Sequence, residues 1–299
     1  MSTDIISIRE LFDPEFVESV SRLKILARRV APSGSPAEKR SRQKGSGMEF
    51  RDYRQYTPGD DFSAIDWNVY QRLGRVFLRL FEEQRDLPVY ITPDISASMF
   101  HGDQPRVHAA LRCAFALSSI ALREHDSVGI FPFSDSLQTA LRPTGGKGRL
   151  MRVAQTLSRI EPGGATDFAE SIRKFRHLNI REGLMVVISD FFDPKGLEAV
   201  CDALKLVRHR LLLVQLVRKS DADPQLQGDL LLKDCESGEE QNVSVTKAVL
   251  DSYKKSWADF HERLGQFATQ RQAGIVRIDV EEDIVGQLAT LFESGAYVV

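Results

Sequence analysis

Asp94, Ser96 and Ser98 stand at alternate positions in the stretch LPVYITPDISASM, directly after the short apolar and β-branched run 89–92. Three hard oxygen side chains delivered by a strand end are what an oxygen-preferring divalent cation takes as ligands. Two later stretches bring matching chemistry: Thr166 in the loop GGATD, and Asp190 just past the apolar run LMVVIS. Taken singly, the Asp-x-Ser-x-Ser triplet reads as well as a loop or helix cap. Together the three stretches offer two carboxylates and three hydroxyls, the donor inventory of Mg²⁺ or Mn²⁺ retaining some of its waters.

For these residues to meet, the chain must deliver them to one edge of one sheet. Apolar spacing predicts a helix over 14–30, with Asp13 as N-cap and Pro14 in the first turn, and further helices around 107–121, 150–157, 168–178 and 197–207. Continuously apolar strands are expected at 89–92, 128–133 (VGIFPF), 184–189 and 211–217, with a short hairpin arm at 137–141. The segment 226–246 reads as a β-hairpin turning near Glu236-Ser237-Gly238. After it come a long helix carrying Tyr253, Trp257, Phe260, Leu264 and Phe267 on one face, a last strand at 275–280 and a closing helix. The aromatic stripe of the long helix is expected to be core that packs on the sheet. Apolar strands alternating with amphipathic helices imply a doubly wound, mostly parallel α/β sheet, in which ligands bind at the carboxyl edge.

Composition narrows the function classes. The 299 residues carry 40 Lys plus Arg against 42 Asp plus Glu, so no global charge favours nucleic acid or a membrane surface. No apolar run approaches the ~20 residues of a membrane helix and the N-terminus lacks the order of a secretory signal, so the expectation is a cytoplasmic protein without membrane insertion. The three cysteines, Cys113, Cys201 and Cys235, show no zinc or redox spacing and are expected as buried or half-buried thiols. No HExxH, P-loop, GxGxxG after a strand, or nucleophile elbow is present.

Two regions before the triplet stand out. Between Arg22 and Arg54 there are ten basic residues against three acidic ones, readable as a solvated basic loop or as a nucleic-acid patch. The block GMEFRDYRQYTPGDDFSAIDW gathers Arg54, Tyr56, Asp60, Asp61, Asp66 and Trp67, which suits either an internal ion-pair network or a recognition surface. A turn is expected at 57–60 and a strand at 76–81.

The ordered set Asp94, Ser96, Ser98, Thr166, Asp190 resembles the metal ion-dependent adhesion site of the von Willebrand factor type A fold, residue by residue. In such sites the hydroxyls ligate directly, the aspartates directly or through water, and a partner's carboxylate completes the octahedron. The preceding block, with RLGRVFLRLFEE after it, is similar to the signature of the bacterial "domain of unknown function 58" family over roughly residues 40–220. That resemblance implies a protein associated with a MoxR-type AAA+ ATPase. Two departures are Pro93, where an apolar residue is expected before the first Asp, and the lack of flanking membrane helices that many relatives carry.

The resulting expectation is an α/β, von Willebrand factor A-like domain at 87–299. Before it stand a family block with a small β substructure at 48–86, and an N-terminal helix and basic linker at 1–47. The function expected is non-enzymatic: a metal-dependent interaction module, an adaptor for a MoxR-type ATPase in chaperone-like assembly or maturation of a target. The alternatives are a Mg²⁺-dependent phosphoryl-transfer or hydrolytic enzyme, with Lys147 and Arg149 as phosphate contacts, and nucleic-acid binding through 22–54. His101 is expected to be a solvent-facing loop residue.

Overall fold

A computed structural model describes residues 11–30, 48–57, 60–83, 87–102, 104–123, 126–146 and 148–293. The basic linker 31–47, Lys147 and Pro58-Gly59 of the expected turn lie outside the described residues. The chain divides into two compact units, Met1–Ser33 with Leu87–Val299, and Gly34–Asp86. The N-terminal helix thus belongs with the α/β unit.

The larger unit opens with α1 (Pro14–Val30). Asp13 caps it, its carboxylate accepting the Phe16 N–H at 2.8 Å. Phe16, Val20 and Leu23 are buried, as the helical spacing requires. In the smaller unit, β1 (Met48–Gln55), α2 (Trp67–Leu73) and β2 (Phe77–Glu83) follow, with β1 and β2 antiparallel.

The chain then runs through β3 (Val89–Pro93), α3 (Arg106–Arg123), β4 (Val128–Ile130), β5 (Leu141–Thr144), α4 (Arg149–Leu157), α5 (Phe168–His177), β6 (Leu184–Ser189), α6 (Leu197–Lys205) and β7 (Arg210–Val217). The hairpin β8 (Gly228–Lys233) and β9 (Glu240–Val245) leads to α7 (Lys247–Gln270), β10 (Gly274–Asp279) and α8 (Ile284–Glu293). The main sheet has the order β10-β7-β6-β3-β4-β5, parallel except for β5. This is the expected doubly wound, mostly parallel α/β architecture, with helices on both faces of the sheet.

Strand alternation sorts the core into two layers. Val89, Ile91, Val186 and Ile188 face α1, α3, α4 and α8. Tyr90, Met185, Val187 and Leu213 face α5, α6 and α7. The chain leaves β3 toward the first layer and β6 toward the second, so the carboxyl ends of these neighbours open a switch-point crevice between diverging loops.

Several sequence expectations need correction. The strand expected at 128–133 stops at Ile130: Phe131 still donates its N–H to Ile91 O at 2.8 Å, but Pro132 has no N–H to continue the ladder. The antiparallel arm is Leu141–Thr144 rather than 137–141, because Leu137 makes only an isolated bridge with Phe133. The stripe of α7 is core only at its C-terminal end: Leu264 and Phe267 are buried, whereas Trp257 and Phe260 are half-buried and Tyr253 is exposed. Cys113 is buried and Cys201 half-buried, but Cys235 is exposed, since it sits on the turn of the β8–β9 hairpin. Among the described residues no helix is long and apolar enough to cross a membrane.

Candidate metal-binding site

Strand β3 ends without disruption at Pro93: its carbonyl accepts the Phe133 N–H at 3.0 Å, and the next residue, Asp94, donates its own N–H to Ile188 at 2.8 Å. The proline therefore costs no ladder bond that the strand end needs. Asp94 is wholly buried at this end, with one carboxylate oxygen accepting the Ser96 N–H at 2.9 Å and the other the Ser189 hydroxyl at 2.6 Å. Ser96 and Ser98 lie with their hydroxyl oxygens 3.1 Å apart.

The GGATD loop is stitched to this segment by backbone bonds. Gly163 N–H reaches Ile95 O at 2.7 Å, and Ala97 N–H reaches Gly164 O at 3.0 Å. The approach is so close that a Cβ on Gly163 would fall 2.2 Å from the Ser134 hydroxyl oxygen, so only glycine fits. Thr166 follows, buried, and Asp167 caps α5 through the Glu170 N–H at 3.1 Å. Asp190, also buried, closes β6 and accepts the Phe192 N–H at 3.1 Å. Between them Phe191 takes a left-handed conformation, φ 64°, while donating its N–H to the Ser189 hydroxyl at 2.8 Å. A buried non-glycine residue at positive φ is strain that the surrounding packing must hold.

The electrostatics of this cluster are unbalanced. Burial, reinforced by the Asp190 charge, pushes the Asp94 carboxyl up from 3.8 to about 7, against the opposing hydrogen bonds from Ser189 and Ser96. Burial also raises Asp190, with Glu236 and Asp221 adding repulsion and Arg106 opposing it. Arg106 is a poor counter-ion here: its Nε is 4.0 Å from Asp190, has no hydrogen-bond partner among the described residues, and the guanidinium is paired with Asp221. Two buried carboxyls that cannot both ionise comfortably, with three hydroxyls beside them, fit a hard cation. Among the described residues no three carboxylate, imidazole or thiol groups gather closely enough to hold an ion alone, so the hydroxyls would have to contribute.

Three participants escaped the sequence reading. Ser189 orients Asp94 and is the last residue of an otherwise apolar strand. Arg106, at the start of α3, is the nearby cation. Glu236 reaches in from the hairpin turn, accepting the Thr166 N–H at 2.9 Å and the Thr166 hydroxyl at 3.0 Å. The only available signal for Glu236 was an acid at the tip of an expected turn. His101 is exposed, its ring within 3.0 Å of the Ala97 carbonyl, as expected of a loop residue.

The block residues form a separate constellation within the smaller unit. Arg54 pairs with Asp60 at 2.6 Å, and Asp60 also accepts the Thr57 N–H and hydroxyl at 2.9 and 2.8 Å. Asp61 caps a single helical turn through Ser63, and Asp66 caps α2 through Asn68 and Val69 while accepting the Tyr53 hydroxyl at 3.1 Å. Tyr56 packs against Phe62 at 5.5 Å between ring centres, and Trp67 lies largely exposed.

Residues 52–263 match the family described as "Protein of unknown function DUF58". The chain belongs to the DUF58 family. This DUF58 chain is 26% identical over 219 residues to the uncharacterized protein Rv1480 of Mycobacterium tuberculosis (strain ATCC 25618 / H37Rv), covering 72% of this chain and 69% of the relative. It is 24% identical over 145 residues to the uncharacterized protein MAV169 of Mycobacterium avium, covering 48% and 85%. Among solved structures it is similar to the conserved hypothetical protein BatB of Bacteroides thetaiotaomicron, at 17% identity and TM-score 0.42, over 70% of this chain and 98% of that one. A further similarity is to proximal thread matrix protein 1 of the mussel byssus, solved with a zinc-occupied MIDAS motif, at 12% identity and TM-score 0.40, over 71% and 48% of the two chains.

Proposed function

We propose that this DUF58 chain is a protein-interaction module whose sheet-edge site holds Mg²⁺ or Mn²⁺ and, through the ion, the carboxylate of a protein partner. The observation that carries this reading is the pair of buried, mutually repelling carboxyls, Asp94 and Asp190, beside the hydroxyls of Ser96, Ser98 and Thr166. The bound ion would neutralise the acids and offer an open position to an incoming oxygen. Ser189 holds Asp94 in orientation, and the Gly163-Gly164 stitching keeps the hydroxyl-bearing loops at a fixed spacing.

The finer form of the proposal is an adaptor for a MoxR-type AAA+ ATPase, acting in chaperone-like assembly or maturation of a target. It rests on the family signature and not on the site. Mn²⁺ titration should show one site in the wild type and at least a tenfold loss of affinity in Asp94→Ala. Equal binding by both proteins would remove the site. A pull-down run with and without chelator then addresses the partner: ATPase captured only with metal and intact Asp94 supports the adaptor role, and metal-independent capture separates the partner from the site.

The enzyme alternative would need turnover of a phosphate ester that disappears in Asp94→Ala. The nucleic-acid alternative rests on a segment, 22–54, of which 31–47 lies outside the described residues; steeply salt-dependent binding would support it.

A further inference from the structure

The hairpin β8–β9 projects largely exposed residues along both strands, including Leu231 at 58% and Leu232 at 45% exposure. Its own ladder is regular, six pairs from Gly228↔Val245 to Lys233↔Glu240. Such a two-stranded arm has little core of its own and needs an anchor to take one position. The anchor is at the tip. Asp234 organises the turn by accepting the N–H groups of Glu236 and Ser237 at 2.7 and 2.8 Å, while Gly238 N–H returns to the Asp234 carbonyl at 3.0 Å. This aims the Glu236 side chain outward from the hairpin, where its two oxygens take both donors of Thr166, one each.

Two properties mark this contact as more than a tether. The Thr166 N–H and hydroxyl form a two-pronged donor seat matched to a carboxylate, and the seat lies on one of the hydroxyls of the candidate metal site. Glu236 also adds a third negative charge beside Asp190, so without a cation the contact is held against repulsion. An acid placed there by the chain itself occupies the place where an acid from outside would be recognised.

We propose that Thr166 is a carboxylate seat filled in cis by Glu236, that the β8–β9 hairpin is its built-in occupant, and that an acidic side chain of a protein partner replaces it. This rests on the reading of the sheet edge as the interaction site and deepens it. The hairpin would then act as a latch: closed, it shields the site; displaced, it frees both Thr166 and an arm bearing Leu231 and Leu232 for the same partner.

The test uses the full chain and follows backbone amides, comparing wild type, Glu236→Gln and, as a control at a neighbouring exposed acid, Glu239→Gln. In Glu236→Gln the amides of 228–245 should exchange about tenfold faster or more, the loss expected when a charge-assisted pair of hydrogen bonds is weakened. Glu239→Gln should leave exchange unchanged. The Thr166 amide resonance should shift in Glu236→Gln and move back toward its wild-type position as propionate, a bare carboxylate of the same chain length, is added. Wild type should not respond at those concentrations, because its seat is taken. An unchanged Thr166 resonance and hairpin exchange in Glu236→Gln would overturn the proposal, as would the same propionate response in wild type and variant. The metal reading fails separately, through Mn²⁺ binding that Asp94→Ala leaves intact, and in that event release of the hairpin by Glu236→Gln would still establish the seat.

Discussion

Two pairs of aspartates, Asp60 and Asp61 in the smaller unit and Asp94 and Asp190 in the larger, are held in opposite ways. In the smaller unit Asp60 and Asp61 sit near solvent and below the usual carboxylate range. The Thr57 N–H, then its hydroxyl and Arg54, lower Asp60, and the Ser63 N–H, then its hydroxyl, lower Asp61. At the sheet edge Asp94 and Asp190 are buried and pushed upward, despite the hydrogen bonds each accepts. A turn acid that is already satisfied has done its work by shaping the chain. A buried acid whose partners do not suffice leaves a charge for something else to meet, and that asymmetry directs attention to the edge rather than to the acid-rich block.

The largest test of the contrast is Asp94→Asn in metal-free protein. Because the folded state raises this carboxyl from 3.8 to about 7, the native form binds the proton more tightly than the unfolded form does. Its stabilising contribution is therefore fully present below about pH 4 and is lost as pH rises through about 7. Wild type and variant should unfold alike near pH 4. At pH 8 in chelator the variant should be more stable by on the order of 4 kcal/mol in urea unfolding. Saturating Mg²⁺ should reverse that order by stabilising wild type alone. A variant that gains nothing at pH 8 would mean Asp94 is as contented as Asp60, and the comparison would collapse.

The sheet and the order of its donors were legible because both obey short-range rules: continuous apolar runs mark parallel strands, and residues following such runs must fall at a carboxyl edge. What was not legible depends on distant partners. Whether Trp257 and Phe260 are fully covered is decided by how α7 leaves the sheet beside Phe192, 5.8 and 4.6 Å from the two rings, which periodicity within the helix cannot report. Ser189 looked like a strand terminus and became the partner of Asp94 only across a sequence separation of 95 residues. Glu236 lies 70 residues from Thr166, and nothing local distinguishes it from Glu239 or Glu240. The early stop at Ile130 was available from Pro132, whose missing N–H weighs more than the apolar content of VGIFPF.

A smaller effect separates structural from functional acids in the other unit. Asp66 is buried, caps α2 through two backbone N–H groups and accepts the Tyr53 hydroxyl. Asp66→Ala should cost about 1–2 kcal/mol of stability, the range for loss of an N-cap, while leaving Mn²⁺ affinity unchanged. Chemical denaturation paired with metal titration reads both. A matched loss of metal affinity would show that the two constellations are coupled rather than independent.

The smallest expected effect is at Trp67, next to that cap and one of the residues whose role the sequence left open between packing and recognition. The ring is 58% exposed, and its aromatic neighbour is Tyr70, edge-on with 6.2 Å between centres. On the same stretch Phe62 and Leu73 are exposed at 67% and 64%, so large apolar side chains here face outward while Asp66 turns inward to hold the backbone. A large ring with so little covered area contributes little to folding, because apolar stabilisation scales with the area removed from water. Trp67→Ser should therefore shift stability by less than about 0.5 kcal/mol, in contrast to Asp66→Ala one residue earlier. A loss above about 1 kcal/mol would place Trp67 in the packing of the smaller unit and leave its exposed rings without a recognition role to explain. An unchanged unfolding curve combined with weaker capture of the proposed partner would make those rings a contact surface of their own.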